Sequence, residues 1–289
     1  MQFYLNLLYT FSIVYLGAIS FWIVYRPSNI LHYAHGASFV LGGYFLSSLY
    51  LGLGLPLFMS LLLSLLAVAL IGSSFYSFFY KPLLSYDNNL SLLVCSLGLY
   101  IAIVACVAIF YGSGTTHLDE TTTVVGIEVL GGYISSVQVI SVCIAFFVLL
   151  LLKIFMSYSP YGLYFRAVAD DSILSYIYGL PREKVIVTAY AFGSGLAGLV
   201  GILVGFDSGM RPTMGFSSLL YSVVAMIVGG GYSAGGVLCG AVLVSLLHNL
   251  VGFYFDTKWI DTATFFLLVC FLIAKPKGVF GVTLKKVEI

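Results

Sequence analysis

Apolar runs of about twenty residues recur along almost the whole of this chain, at 3–25, 30–50, 55–80, 89–111, 135–156, 185–206, 217–230, 234–254 and 259–275. That is the length of an α-helix crossing a bilayer core of about 30 Å. Inside lipid a helix satisfies every backbone polar group within its own segment, which is why helices are one of the two structures that span membranes. Charged residues make up 8% of the chain, against about 25% in a soluble domain. The expected fold is therefore an all-α polytopic membrane protein with eight to nine transmembrane helices in one transmembrane domain, residues 1–289. Two runs are weak: 217–230 is short and ends in Gly229-Gly230-Gly231, and 30–50 is interrupted by His32, His35, Gly36, Gly42 and Gly43. The segments 217–254 are read as a short or broken pair. The N-terminus carries no basic leader and no small-residue cleavage site, so the first run is expected to stay as a helix.

Lysine and arginine set the orientation. With nine crossings and the 157–184 loop in the cytoplasm, the inside collects Arg26, Lys81, Lys153, Arg166, Arg182, Lys184, Lys275, Lys277, Lys285 and Lys286. Only Arg211 and Lys258 remain outside. The positive-inside rule favours this arrangement, with the N-terminus outside and the C-terminus cytoplasmic.

The loop 157–184 is the longest polar interruption, and it carries helix signals that a plain connector lacks. Asp170 or Asp171 can cap a helix, Ile173, Leu174 and Ile177 fall at helical spacing, and Gly179 followed by Pro181 is a stop. A membrane protein that builds a helix there is expected to use it for contact with another protein.

Composition and motifs also narrow the function. A net charge of +1 argues against a nucleic-acid partner. No Asp or Glu sits well inside a span, although an ion-coupled carrier would be expected to bury one. This weakens a self-sufficient secondary transporter or channel as the alternative class. The glycine clusters around 229–236 lack the Lys-Ser or Lys-Thr of a phosphate loop, so the chain is expected to bind no ATP or other cofactor. Neither a catalytic constellation nor close-spaced cysteine pairs are present. The five cysteines, Cys95, Cys106, Cys143, Cys239 and Cys270, read as small hydrophobes.

His32 and His35 stand at i, i+3 and could share a helix face, with His248 and Lys153 the other basic side chains within spans. The histidines lack a third and fourth metal ligand nearby. They read as hydrogen-bonded polar groups at a helix break, and together with Gly36 as candidates for the translocation path. Ala189, Gly193, Ala197, Gly201 and Gly205 recur every four residues, a small-residue face that lets another helix approach closely. The Thr-rich loop with Asp119, Glu120 and Thr121-Thr122-Thr123 reads as a solvated loop with the capacity to dock a partner.

Several of these stretches resemble one family. Leu31-His32-Tyr33-Ala34-His35-Gly36 is similar to the Asn-Phe-Ala-His-Gly signature of branched-chain amino-acid ABC importer permeases, with His32 where that family has Asn. Gly162-Leu-Tyr-Phe-Arg166-Ala167-Val-Ala-Asp170-Asp171, ending at Gly179, looks like its coupling loop. The turn Gly229–Gly236 and the segment Lys275-Pro-Lys-Gly-Val-Phe-Gly281 match its pattern too, and Ala-Val-Ala-Asp-Asp looks more like the H-type subunit than the M-type. The resemblance implies a permease of the bacterial inner membrane. It would pair with a second, M-type permease, two cytoplasmic ATPases that hold ATP and magnesium, and an extracytoplasmic binding protein. Arg166, Ala167, Asp170, Asp171 and Gly179 would couple it to the ATPases. Leucine, isoleucine and valine are the default substrates, with urea, amides or aromatic acids carried by close relatives.

Overall fold

The computed structural model describes residues 1–84, 89–118, 126–129 and 131–281. Asp119, Glu120, Thr121-Thr122-Thr123, Lys285 and Lys286 lie outside the described residues. The helices are α1 (Gln2–Ser28), α2 (His35–Ser47), α3 (Leu57–Ser74), the single turn α4 (Lys81–Leu83), α5 (Asn89–Tyr111), α6 (Ser136–Tyr158), α7 (Pro160–Asp170), α8 (Ser172–Ile177), α9 (Arg182–Ser208), α10 (Met214–Gly229), α11 (Ala234–Tyr254) and α12 (Ile260–Ala274). Wide π-helical turns extend α2 through Ser48–Gly52 and α3 through Phe75–Tyr80. Seven helical stretches among the described residues are long and apolar enough to cross a membrane, and α10 is a shorter apolar helix.

Two helices form the centre. α1 and α9 have 67% and 61% of their apolar windows buried, against 17% in α5 and α6, and they pack against each other. α9 also touches α2 and α3, while α1 touches α10 and α11. The outer helices α5, α6 and α12 turn apolar side chains such as Ile101, Phe147 and Phe266 outward, the surface expected of helices that meet lipid or another apolar subunit.

The expected run 30–50 is corrected at its start. α1 ends on Asn29 in the left-handed conformation, φ 56°, with its N–H on the Tyr25 carbonyl at 2.7 Å. Asn tolerates that conformation better than most residues, and it breaks the chain direction so that α2 begins only at His35. Of the suspected short or broken pair 217–254, only the first member is short: α10 has 16 residues, while α11 is a full helix of 21 residues capped by Ser233. α10 packs against α2, itself 13 residues long. They meet where a Cβ on Gly215 would run into the Gly36 carbonyl. At about 1.5 Å per residue, the 16 residues of α10 extend about 24 Å.

The fold is also not purely helical. Gly126–Val129 (β1) pairs antiparallel with Gly132–Ser135 (β2). The hairpin is tied to the N-terminus by Gln2, whose side-chain amide donates to the Tyr133 carbonyl at 3.0 Å and accepts from its N–H at 2.8 Å. Each strand is only four residues long, too short for an alternating pattern to stand out in the sequence.

Candidate functional site

The polar loop folds into two helices: α8 follows the expected cap at Asp171 and stops before Gly179, and α7 precedes it. α7 starts on Pro160, whose fixed φ suits a first turn. It buries Gly162, Phe165 and Val168, at successive spacings of three, on one face. Gly162 is needed there because a Cβ would press into the backbone of Phe155 and Met156 at the end of α6. At Asp171 the chain turns extended, φ −146° and ψ 101°, and the Asp171 carboxylate accepts from the N–H groups of Ile173 at 3.0 Å and Leu174 at 2.8 Å. A side chain that caps a new helix at that point ends the old one. α8 then stops before Gly179, which holds φ +75°, a conformation glycine adopts without steric cost.

The end of α1 holds this unit in place. Arg26 donates from Nη1 to the Ala169 carbonyl and from Nη2 to Asp170 Oδ1, both at 2.8 Å. It therefore satisfies a free carbonyl at the end of α7 and pairs with its last acid. The same guanidinium lies over the Tyr232 ring, 4.4 Å from the centroid. One turn earlier, Trp22 packs on Phe165 at 5.6 Å between ring centroids and donates to the Gly231 carbonyl at 2.8 Å. α1 thus grips both the helical loop and the glycine turn between α10 and α11. The C-terminal segment closes that turn, with the Val279 and Phe280 N–H groups on the carbonyls of Val228 and Gly229 at 2.9 and 3.1 Å. Lys81 pairs with Glu183 at the start of α9.

α8 itself is almost unburied. Ile173 is 76% exposed and Ile177 72%, with Tyr176 and Tyr178 exposed beside them. Arg166 is exposed on α7, and Ala167 is half-buried. A short helix with a bare apolar face, fixed rigidly from behind, is suited to seating in a groove of another protein.

The other candidates form two further groups. His32 lies in the break before α2, so it and His35 do not share a helix face. They are still neighbours, with ring centroids 5.6 Å apart, and both are fully buried. His32 Nδ1 is 2.7 Å from the Tyr80 hydroxyl, and His35 Nε2 is 3.0 Å from Ser20 Oγ. Tyr190 of α9 packs 5.0 Å from the His32 ring. Beside the break, Leu31, Tyr33, Phe216, Leu220 and Leu268 line an apolar cleft of about 140 Å³.

The small-residue face of α9 contacts more than one partner. Gly193 lies against Val24 and the Ser20 carbonyl of α1, Gly201 against Phe39 of α2, and Gly205 against Met210 and Leu118, with Ala197 buried between. A spacing of four overshoots the helical repeat of 3.6, so the stripe winds around the helix from one neighbour to the next. Gly198, outside the stripe, sits on Gly42 and Val68.

Sequence reasoning missed the roles of Trp22 and Arg26. Arg26 entered only as a basic residue at a span end, and its partner Asp170 is 144 residues away, a distance at which spacing carries no signal.

An apolar helical bundle with a helical loop clamped at one end defines a multi-pass α-helical membrane protein. The chain resembles the solved structure of PsaBC from Streptococcus pneumoniae in complex with Fab, with a TM-score of 0.55 at 14% identity over 97% of this chain and 94% of the other, a likeness of fold alone. Residues 3–274 match the family profile of the branched-chain amino acid transport system permease component. The chain belongs to that family, a membrane transport subunit of the bacterial inner membrane. It is 26% identical over 277 residues to the high-affinity branched-chain amino acid transport system permease protein LivH of Escherichia coli K12. It is equally similar to the BraD permease of Pseudomonas aeruginosa, and in both cases the match covers 91% of this chain and 90% of the relative. The first of these carries the H-type designation in its name.

Proposed function

We propose that the chain is the permease subunit of an ATP-driven importer of branched-chain amino acids. It lines the translocation path together with a second permease, and its 157–184 loop docks on cytoplasmic ATPases. ATP and magnesium are held by those ATPases, and an extracytoplasmic binding protein delivers the substrate. The whole of residues 1–289 acts as one permease domain, with the α7–α8 end in the cytoplasm, as the distribution of Lys and Arg favours.

The carrying observation is the mechanical arrangement of the loop. α8 offers bare Ile173 and Ile177 to a groove on an ATPase. Asp171 fixes α8 to α7, and Arg26 and Trp22 fix α7 to α1. Movement of the seated α8 as the ATPases close is therefore passed to α1, and through Trp22 to the glycine turn of α10 and α11. α1 and α10 border the apolar cleft beside His32, where access switches between sides. Few polar groups face that cleft, so selectivity rests mainly with the binding protein.

The test is uptake of labelled leucine in a strain deleted for this gene and complemented with Ile173→Asp/Ile177→Asp. Both positions are exposed, so membrane levels are expected to match the wild type while uptake falls to background. Full uptake by this variant would remove the docking role. Substrate is tested in the same strain by comparing leucine with urea. Loss of leucine uptake alone is the expected result, and loss of urea uptake alone would overturn the branched-chain assignment.

A further inference from the structure

Lys153 has no task in the transport reading. It sits five residues before the end of α6, about 7.5 Å along the axis, in a stretch where Leu151, Ile154 and Phe155 are exposed. No ion pair to it occurs among the described residues. A long side chain at that depth extends its ammonium toward the headgroup level while its methylenes stay in the apolar zone. Beside it a cleft of about 270 Å³ runs between α1, α6 and the start of α11. Leu149, Leu152, Met156 and Leu238 form its apolar walls, and Lys153, Ser157 and Gly235 stand at the same opening.

A ligand that satisfies both parts must be amphiphilic. A soluble anion would gain one exposed cation and leave the apolar walls uncovered. A zwitterionic lipid would fill the walls and bring a phosphate, but its own headgroup cation offsets the attraction to the ammonium. We propose that this cleft binds a phospholipid of net negative headgroup, its phosphate against Lys153 and the Ser157 hydroxyl and one acyl chain along Leu149, Leu152 and Leu238. That occupant matches the charge at headgroup depth and the apolar walls of the adjoining cleft.

The test uses the full chain purified in mild detergent, stripped of lipid, and offered phosphatidylglycerol or phosphatidylcholine with identical acyl chains, with retention read by native mass spectrometry. The wild type is expected to retain phosphatidylglycerol about five-fold better, the effect of one interfacial lysine. Lys153→Gln should abolish the preference and Lys153→Arg should keep it. Gly235→Leu projects into space where a Cβ meets nothing within 4 Å, so it should fold normally, fill the cleft and lower retention of both lipids. Equal retention of the two lipids by the wild type, or an undiminished preference in Lys153→Gln with an unchanged melting temperature, overturns the proposal.

Discussion

At the scale of single residues, the bundle is held by close approaches that tolerate no added atoms. A Cβ at Gly201 would fall on the Phe39 carbonyl, and backbone atoms on both sides leave no flexible side chain to yield. Gly201→Ala is expected to destabilise the protein by about 1–3 kcal/mol, read as a lower melting temperature in detergent. Gly252, in α11, is the internal control. Nothing lies within 4 Å of its Cβ position, so Gly252→Ala should be neutral or stabilising by up to about 1 kcal/mol. The buried histidines carry a different constraint. Tyr80→Phe removes the hydroxyl 2.7 Å from His32 Nδ1 and leaves a buried polar atom unpaired, at a cost of about 1–3 kcal/mol. A melting temperature equal to the wild type for Tyr80→Phe would show that this hydrogen bond contributes nothing net.

At the scale of elements, the clamp between α1 and the loop allows the proposed coupling role to be tested apart from folding. Asp171→Ala removes the cap of a six-residue helix, worth about 1 kcal/mol. Most of the bundle makes no contact with α8, so the global melting temperature should barely move while α8 loses its fixed direction. Uptake should fall, and in the proposed assembly ATP hydrolysis should lose its dependence on the binding protein. Arg26→Ala cuts the hold on both Ala169 and Asp170 and should give the same uncoupling with the ATPases still bound. Retained coupling in Arg26→Ala would mean that the Trp22–Phe165 contact is sufficient by itself.

At the scale of the whole molecule, the contacts place Gln2 and Phe280 at opposite ends of the bundle. Gln2 bonds Tyr133 beside the β-hairpin, while Phe280 bonds Gly229 near Trp22 and Arg26. Cysteine introduced at Lys258 is therefore expected to react with a membrane-impermeant thiol reagent from outside the cell. Cysteine at Lys277 should react only in inverted vesicles. Reaction of both from the same side would rule out the proposed orientation.

The sequence by itself determined the class of protein, because apolar runs long enough to cross lipid leave almost no alternative to a helical bundle. It also marked the loop as helical and exposed Asp171 and Gly179 as punctuation, since capping and left-handed turns depend on neighbours within a few residues. The family motifs around His35 and Arg166 were equally legible. The remaining features depend on contacts between distant segments. Arg26 meets Asp170, the stripe on α9 winds across three neighbours, His32 is removed from the helix it seemed to join, and the short helices α2 and α10 face each other. Helical periodicity says which residues share a face, and it carries no information on which helix that face will meet.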